Sequence, residues 1–167
     1  MERTGIVTFL GNPMTLAGDE VKVGMKAPAF TALDNGLKPV SLDDFAGKVK
    51  LISVTPSLDT GICDAQLRKF NEAAAKVGDD VVVINISADL PFAIKRFCAT
   101  AGIDKVVTLS DHKDLSFGSA YGVVVKELRL LARAIFVIDK NDVVTYVETV
   151  PEIASHPAYD KALAAIG

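Results

Sequence analysis

Apolar residues along this chain follow two periods, and each period predicts its own kind of element. Short runs with little alternation recur at Leu51-Ile52-Ser53-Val54, Val81-Val82-Val83-Ile84-Asn85-Ile86-Ser87, Val106-Val107-Thr108-Leu109 and across 130–139. Such runs fit strands of a parallel sheet that is covered on both faces. Between the first two runs the spacing changes. Cys63, Leu67, Phe70, Ala74 and Val77 follow one another at steps of four, three, four and three, one face of a helix over about 61–77. A second stripe, Leu90, Ile94, Phe97, Cys98 and Ala101, predicts a helix opened by Asp89-Leu90-Pro91. Strands that alternate with helices predict an α/β architecture with right-handed crossovers.

The ends of the chain read differently. Gly5-Ile6-Val7-Thr8-Phe9 and the segment around Val21-Lys22-Val23 flank the turn-rich Gly11-Asn12-Pro13 and Ala17-Gly18-Asp19, which predicts an N-terminal β-hairpin outside the main sheet. Phe30-Thr31-Ala32-Leu33 leads into a turn at Asp34-Asn35-Gly36, and Ser41-Leu42-Asp43-Asp44-Phe45 reads as one capped helical turn. Lys140-Asn141-Asp142 turns the chain into a strand over 143–148, and residues 159–166 predict a closing helix.

Composition narrows the class. The 167 residues show no compositional break, so one domain spanning 1–167 is expected, and half of them being apolar gives it enough material for a full core. A net charge of −3 supplies no electrostatic attraction for nucleic acid or an anionic membrane. No apolar run approaches the ~20 residues of a membrane span. Met1-Glu2-Arg3-Thr4 opens on charge, without the apolar stretch of an export signal. Two cysteines do not make a disulfide framework, and a cytoplasmic protein with a redox-active pair fits better.

The chemistry concentrates on Cys63. The predicted helix places it in the first turn, where backbone N–H groups lack internal partners. Those donors, with the positive end of the helix dipole, favour a thiolate. Asp64 opposes this, so a cation from elsewhere in the chain is required. Thr60 is placed either to cap the helix or to set its hydroxyl beside the sulfur. Arg133 interrupts the apolar run 130–139 and must find acceptors or an anion there. Its partner is either the Cys63 sulfur or a surface carboxylate such as Glu127. Cys98, on or beside its helix seam, is either a packed core thiol or a second reactive one. His112 and His156 have no metal-ligand spacing to each other or to a cysteine, so no metal is expected. No glycine-rich phosphate loop is present, so no nucleotide cofactor is expected, and Cys63 is not part of a C-x-x-C pair.

Pro56-Ser57-Leu58-Asp59-Thr60-Gly61-Ile62-Cys63 resembles the peroxidatic-cysteine motif of the peroxiredoxins, and its Ser-x-Asp-Thr portion is similar to that of the thiol peroxidase subfamily. Three other segments support the likeness: Gly24-Met25-Lys26-Ala27-Pro28-Ala29-Phe30, the stretch 87–98 around Cys98, and Phe117-Gly118-Ser119-Ala120-Tyr121-Gly122-Val123. The resemblance implies a thioredoxin-like fold, a central mixed β-sheet flanked by helices. It implies reduction of hydrogen peroxide and organic hydroperoxides through a Cys63 sulfenic acid. Cys98 would resolve that acid as an intramolecular disulfide, with thioredoxin as reductant. Thr60, Arg133 and Pro56 would surround the sulfur, the protein would be a homodimer, and no cofactor would be needed. The segment 117–123 would lie near the active site and dimer contact, although Phe117 and Tyr121 at a spacing of four also make a plain helical aromatic pair. The alternative activity is that of a thiol–disulfide exchange or redox-sensing protein without peroxidase turnover. Gly61 at the first helical position predicts a turn that unwinds easily. Unwinding there and at Cys98 is expected, because a disulfide needs Cα atoms within roughly 4.4–6.8 Å.

Overall fold

A computed structural model describes residues 1–167. In chain order the strands are β1 (Glu2–Phe9), β2 (Asn12–Ala17), β3 (Thr31–Leu33), β4 (Pro39–Ser41), β5 (Val49–Val54), β6 (Val81–Ser87), β7 (Val107–Ser110), β8 (Val124–Val125), β9 (Leu130–Leu131), β10 (Ala134–Ile138) and β11 (Val144–Thr149). The helices are α1 (Gly61–Ala74), α2 (Pro91–Ala101), α3 (Ser116–Ala120) and α4 (Tyr159–Ala164), with a 3-10 turn at Leu42–Phe45. The central sheet runs β11-β10-β5-β6-β7-β3-β4. Its middle three strands, β5, β6 and β7, are parallel, and β10, β11, β3 and β4 are added antiparallel. This is the expected mixed sheet flanked by helices. A second, smaller sheet joins the hairpin β1-β2 to β8 and β9.

Strand alternation sorts the core into two halves. Ala134, Phe136 and Ile138 of β10, with Ile52, Val54, Ile84 and Ile86, face the larger cluster toward the small sheet. Ile135 and Val137, with Leu51 and Val83, face the helices, where they meet Leu67 and Phe70 of α1, Ile94 of α2 and Ala162 of α4. The period of two therefore serves both faces of one buried sheet. Ser53 and Asn85 interrupt the apolar runs of β5 and β6, and both are buried. They lie toward the carboxyl ends of parallel strands, where α/β sheets place their ligands.

Four expectations need correction. The hairpin exists, but its second strand is residues 12–17, and 21–23 are turn and coil. The tight reversal is at Leu10-Gly11, both with positive φ, so Asn12-Pro13 begin the strand rather than the turn. Helix α1 ends at Ala74, and Val77 lies beyond it. Leu90 caps α2 and is 53 % exposed, so it does not belong to the buried stripe. The run 130–139 is not one strand. Residues 130–131 belong to the small sheet and 134–138 to the large one, and the chain crosses between sheets at Ala132-Arg133. Phe117 and Tyr121 stack with ring centroids 4.4 Å apart inside the larger cluster, against Phe30 and Phe136. The aromatic-pair reading thus describes their setting, and neither lines the pocket beside Cys63.

Lys50 places a full charge within the apolar run of β5. Its side chain is wholly buried, and its ammonium pairs with Asp142 in the β10–β11 turn. Asp142→Asn keeps the size and the tolerance for the positive φ of 60° found there, but removes the counter-charge. Stranding a buried cation costs about 3 kcal/mol at the low end of measured cases. A urea titration is expected to show a loss of that order, and a Lys50→Met change in the same background is expected to recover much of it.

Candidate active site

Strand β5 ends at Val54, and residues 55–60 carry the chain from its carboxyl end to the start of α1. The helix begins at Gly61 with Thr60 as its N-cap residue, so Cys63 is its third residue. The N–H groups of Gly61, Ile62 and Cys63 have no acceptor in the protein, whereas that of Asp64 already bonds Thr60 O at 3.0 Å. Three free donors therefore remain at the end of the helix that favours an anion. A Cβ at Gly61 would meet nothing within 4 Å and its φ is ordinary, so glycine there contributes looseness without any steric need for it.

Cys63 is fully buried, and Arg133 is 2 % exposed. The guanidinium uses three nitrogens on three partners. Nη2 donates to Cys63 Sγ at 3.2 Å, Nη1 to Gln66 Oε1 at 2.8 Å and Nε to Ile153 O at 2.7 Å. The cation required opposite Cys63 is therefore Arg133. The alternative pairing with Glu127 is excluded, because that carboxylate accepts the Thr15 N–H at 3.0 Å. Asp64 is turned to another partner, forming an ion pair with Arg68 one helical turn on.

Gln66 was not singled out by sequence. It lies one turn after Cys63, is fully buried, and donates through Nε2 to Ser53 Oγ at 2.7 Å. Its amide thus fixes the guanidinium from α1 while the strand serine fixes the amide. The signals that could have found it are a glutamine on the buried side of a helix and a serine in an apolar strand. Tyr159 also approaches the site. Burial pushes its hydroxyl up, with Arg133 opposing that shift and Cys63 adding to it.

The Thr60 hydroxyl does not cap the helix, one of the two roles expected of it. It donates to Ser57 O at 3.0 Å, so it makes no cap and no bond to Cys63 Sγ. Its proton is committed, and its lone pairs remain available as acceptors. Pro56 is buried and, with Thr60 and Arg133, lines a pocket of about 260 Å³. The other walls are mostly apolar: Phe9 and Leu10 from the hairpin tip, Ile62 from α1, and Leu128 and Leu131.

One wall is held by Glu152. Its carboxylate accepts N–H groups from Ala154 and Gly11 at 2.8 Å and from Leu10 at 3.2 Å, and the Thr8 hydroxyl at 3.0 Å. The Ala154 and Gly11 bonds lead in lowering its pKa to about 2. That lies below the roughly 4.3 of a free glutamate, so the hold is complete above the free value and is lost as pH falls through about 2. Amide exchange at Gly11 and Ala154, corrected for intrinsic rate, should accelerate as pH drops from 5 toward 2. Glu152→Gln should show the faster rate already at pH 5.

Cys98 has a different setting. It is half-buried on α2, and its thiol lies 3.7 Å from Thr108 Oγ1. Burial pushes this thiol up, and the Thr108 contact opposes the shift. Neither cysteine is in a disulfide.

The comparisons with known proteins agree in direction. A family model described as Redoxin matches residues 22–163. A protein named thiol peroxidase from Halalkalibacterium halodurans is 67 % identical over 159 residues, 95 % of each chain. One of the same name from Bacillus subtilis is 61 % identical over 159 residues, again 95 % of each. Among solved structures, a peroxiredoxin-like protein from Aquifex aeolicus is 40 % identical with a TM-score of 0.91, over 98 % of this chain and 95 % of that one.

Proposed function

The chain belongs to the redoxin family and is a thiol-dependent peroxidase acting on hydroperoxides, and from that premise we propose that Cys63 is its peroxidatic sulfur and Cys98 its resolving one. The observation that carries the reading is the buried contact of 3.2 Å between Arg133 Nη2 and Cys63 Sγ. The Cys63 thiolate attacks the terminal oxygen of a hydroperoxide in line with the O–O bond. That bond breaks, the sulfur gains the oxygen, and the second oxygen leaves as alkoxide or hydroxide and takes up a proton. The peroxide is reduced by two electrons and the sulfur is oxidised to a sulfenic acid. Charge moving along the O–O axis meets the Arg133 guanidinium and the unpaired N–H groups of the first turn. Thr60, its own proton donated to Ser57 O, accepts the peroxide hydrogen and so orients the substrate. Pro56 keeps water from the sulfur, and the apolar walls accommodate an organic substituent.

The Cys98 thiolate then attacks the sulfenic sulfur, forming the disulfide and expelling hydroxide, which takes up the proton that the Cys98 thiol gave up and leaves as water. Burial disfavours that thiolate in the folded helix. Local unwinding that exposes Cys98 removes the obstacle and brings the sulfurs together. An external dithiol closes the cycle, and by family likeness it is thioredoxin, acting on a homodimer in the cytoplasm. No helix is long and apolar enough to cross a membrane. The test is mass spectrometry of the protein after one equivalent of peroxide, with alkylation of remaining thiols. An intramolecular Cys63–Cys98 peptide pair supports the assignment. A stable sulfenic acid at Cys63 with Cys98 still free overturns the resolving role.

A further inference from the structure

The segment that must release Cys63 is tied down by a side chain that the reaction does not use. Asp89 follows β6, two residues before Pro91 opens α2, the helix that carries Cys98. Its Oδ1 accepts the Ser57 hydroxyl at 2.7 Å, and its Oδ2 accepts the Leu58 N–H and the Ser87 hydroxyl, each at 2.8 Å. Its main-chain carbonyl accepts the Ser110 hydroxyl. Ser57 in turn receives the Thr60 hydroxyl at 3.0 Å and the Thr60 N–H at 3.3 Å on its carbonyl, and the Asp59 N–H at 3.2 Å on its own hydroxyl. One carboxylate therefore organises the whole reversal that leads into Cys63. No cation within ion-pair distance shares it. Hydrogen bonds to an ionised acceptor are the strong ones, so this tie resists loosening of residues 57–60, alongside the burial of Leu58. The far end of the same helix pair is joined separately, by Arg68 Nη1 to Ala101 O at 3.3 Å and Arg68 over the Phe97 ring at 6.0 Å. Asp89 thus grips the segment that leads into Cys63, and Arg68 grips the turn of α2 around Cys98.

We propose that Asp89 is a positioning residue that sets the lifetime of the folded Cys63 segment after oxidation, and so divides the sulfenic acid between resolution by Cys98 and a second oxidation. This rests on the assignment of Cys63 and Cys98 above. While the segment stays folded, the sulfenate remains beside the pocket and Arg133, where a second hydroperoxide can transfer an oxygen to it, giving sulfinate and alcohol or water. When the segment unwinds, Cys98 reaches the sulfur and the disulfide forms instead. The balance is read as one number, the peroxide concentration at which half of the Cys63 is converted to sulfinate in a single exposure without reductant.

The test measures that midpoint by mass spectrometry for the wild-type chain, Asp89→Asn and Ser57→Ala. Asparagine keeps the size but offers a single acceptor oxygen, so the Ser57, Leu58 and Ser87 donors no longer share two. Asp89→Asn should raise the midpoint about tenfold, which corresponds to the loss of roughly one charged hydrogen bond. Ser57→Ala, which removes the bond to Asp89 and the Asp59 N–H contact but keeps the carboxylate with Leu58 and Ser87 on it, should raise it about threefold, a smaller share of the same tie. A purely structural role would lower thermal stability and leave both midpoints where they are. Unmoved midpoints in either folded variant overturn the proposal while the cysteine assignment stands. A wild-type protein that forms no Cys63–Cys98 disulfide overturns both.

Discussion

Cys63→Ser consumes no peroxide, and Cys98→Ser consumes one equivalent per chain in a fast phase, with only the second oxidation to sulfinate after it and no turnover. These outcomes follow from the unequal surroundings of the two sulfurs. Cys63 has a guanidinium nitrogen at 3.2 Å and the unpaired donors of a helix start around it. A serine oxygen in that place keeps the donors but lacks the intrinsic nucleophilicity of sulfur, and no base stands near to activate it. Cys98 has no cation, and burial disfavours its thiolate, so it cannot take over the first step. It is needed only for the second, and Cys98→Ser should therefore lose its Cys63 thiol as fast as the wild type does. The comparison is made by titrating peroxide consumed per chain without reductant, then by following turnover with thioredoxin as the electron source. Sustained thioredoxin-driven turnover by Cys98→Ser would mean that the resolving thiol lies elsewhere.

The parts of the site legible in the sequence are those that belong to regular elements. The stripe from Cys63 through Leu67 to Phe70 fixed the first turn of α1, because burial of one helical face demands that spacing. The need for a distant cation followed from charge alone, and Arg133 was the only guanidinium set in a long apolar run. Its reach to Cys63 depends on something periodicity does not encode. The chain changes sheets at Ala132-Arg133, and that break frees the side chain to turn under α1. Thr60 shows the opposite limit. A hydroxyl three residues before a cysteine has several partners within reach, and the local turn decided for Ser57 O. Gln66 and Asp89 were overlooked for a shared reason: each acts through a polar contact between elements far apart in sequence, Gln66 with Ser53 and Arg133, Asp89 with Ser57 and Leu58. In the hairpin, Asn12-Pro13 carry turn composition yet form a strand, because the positive-φ pair Leu10-Gly11 already completes the reversal.

Arg133→Lys is expected to slow the oxidation of Cys63 by hydrogen peroxide about 10²–10³-fold, the usual cost of losing one preorganised donor to a developing charge. The substitution conserves the charge, so the size of the loss separates geometry from electrostatics. Arginine serves Ile153 O, Gln66 Oε1 and Cys63 Sγ at once through a rigid fork. A lysine has one nitrogen on a flexible stem, and two neutral oxygens compete with the sulfur for it. If a positive charge anywhere nearby were enough, the lysine variant would react within a few-fold of the wild type. Stopped-flow loss of the Cys63 thiol under excess peroxide measures the rate, and near-ultraviolet circular dichroism checks that the buried site remains packed. Gln66→Met supplies the intermediate case, since it leaves the guanidinium in place but removes the acceptor that steadies Nη1 from α1. Its loss should be about tenfold, the cost of roughly one neutral hydrogen bond's worth of positioning. A larger effect at Gln66 than at Arg133 would reverse the order of dependence, making the glutamine the group that acts on the sulfur and the arginine merely its support.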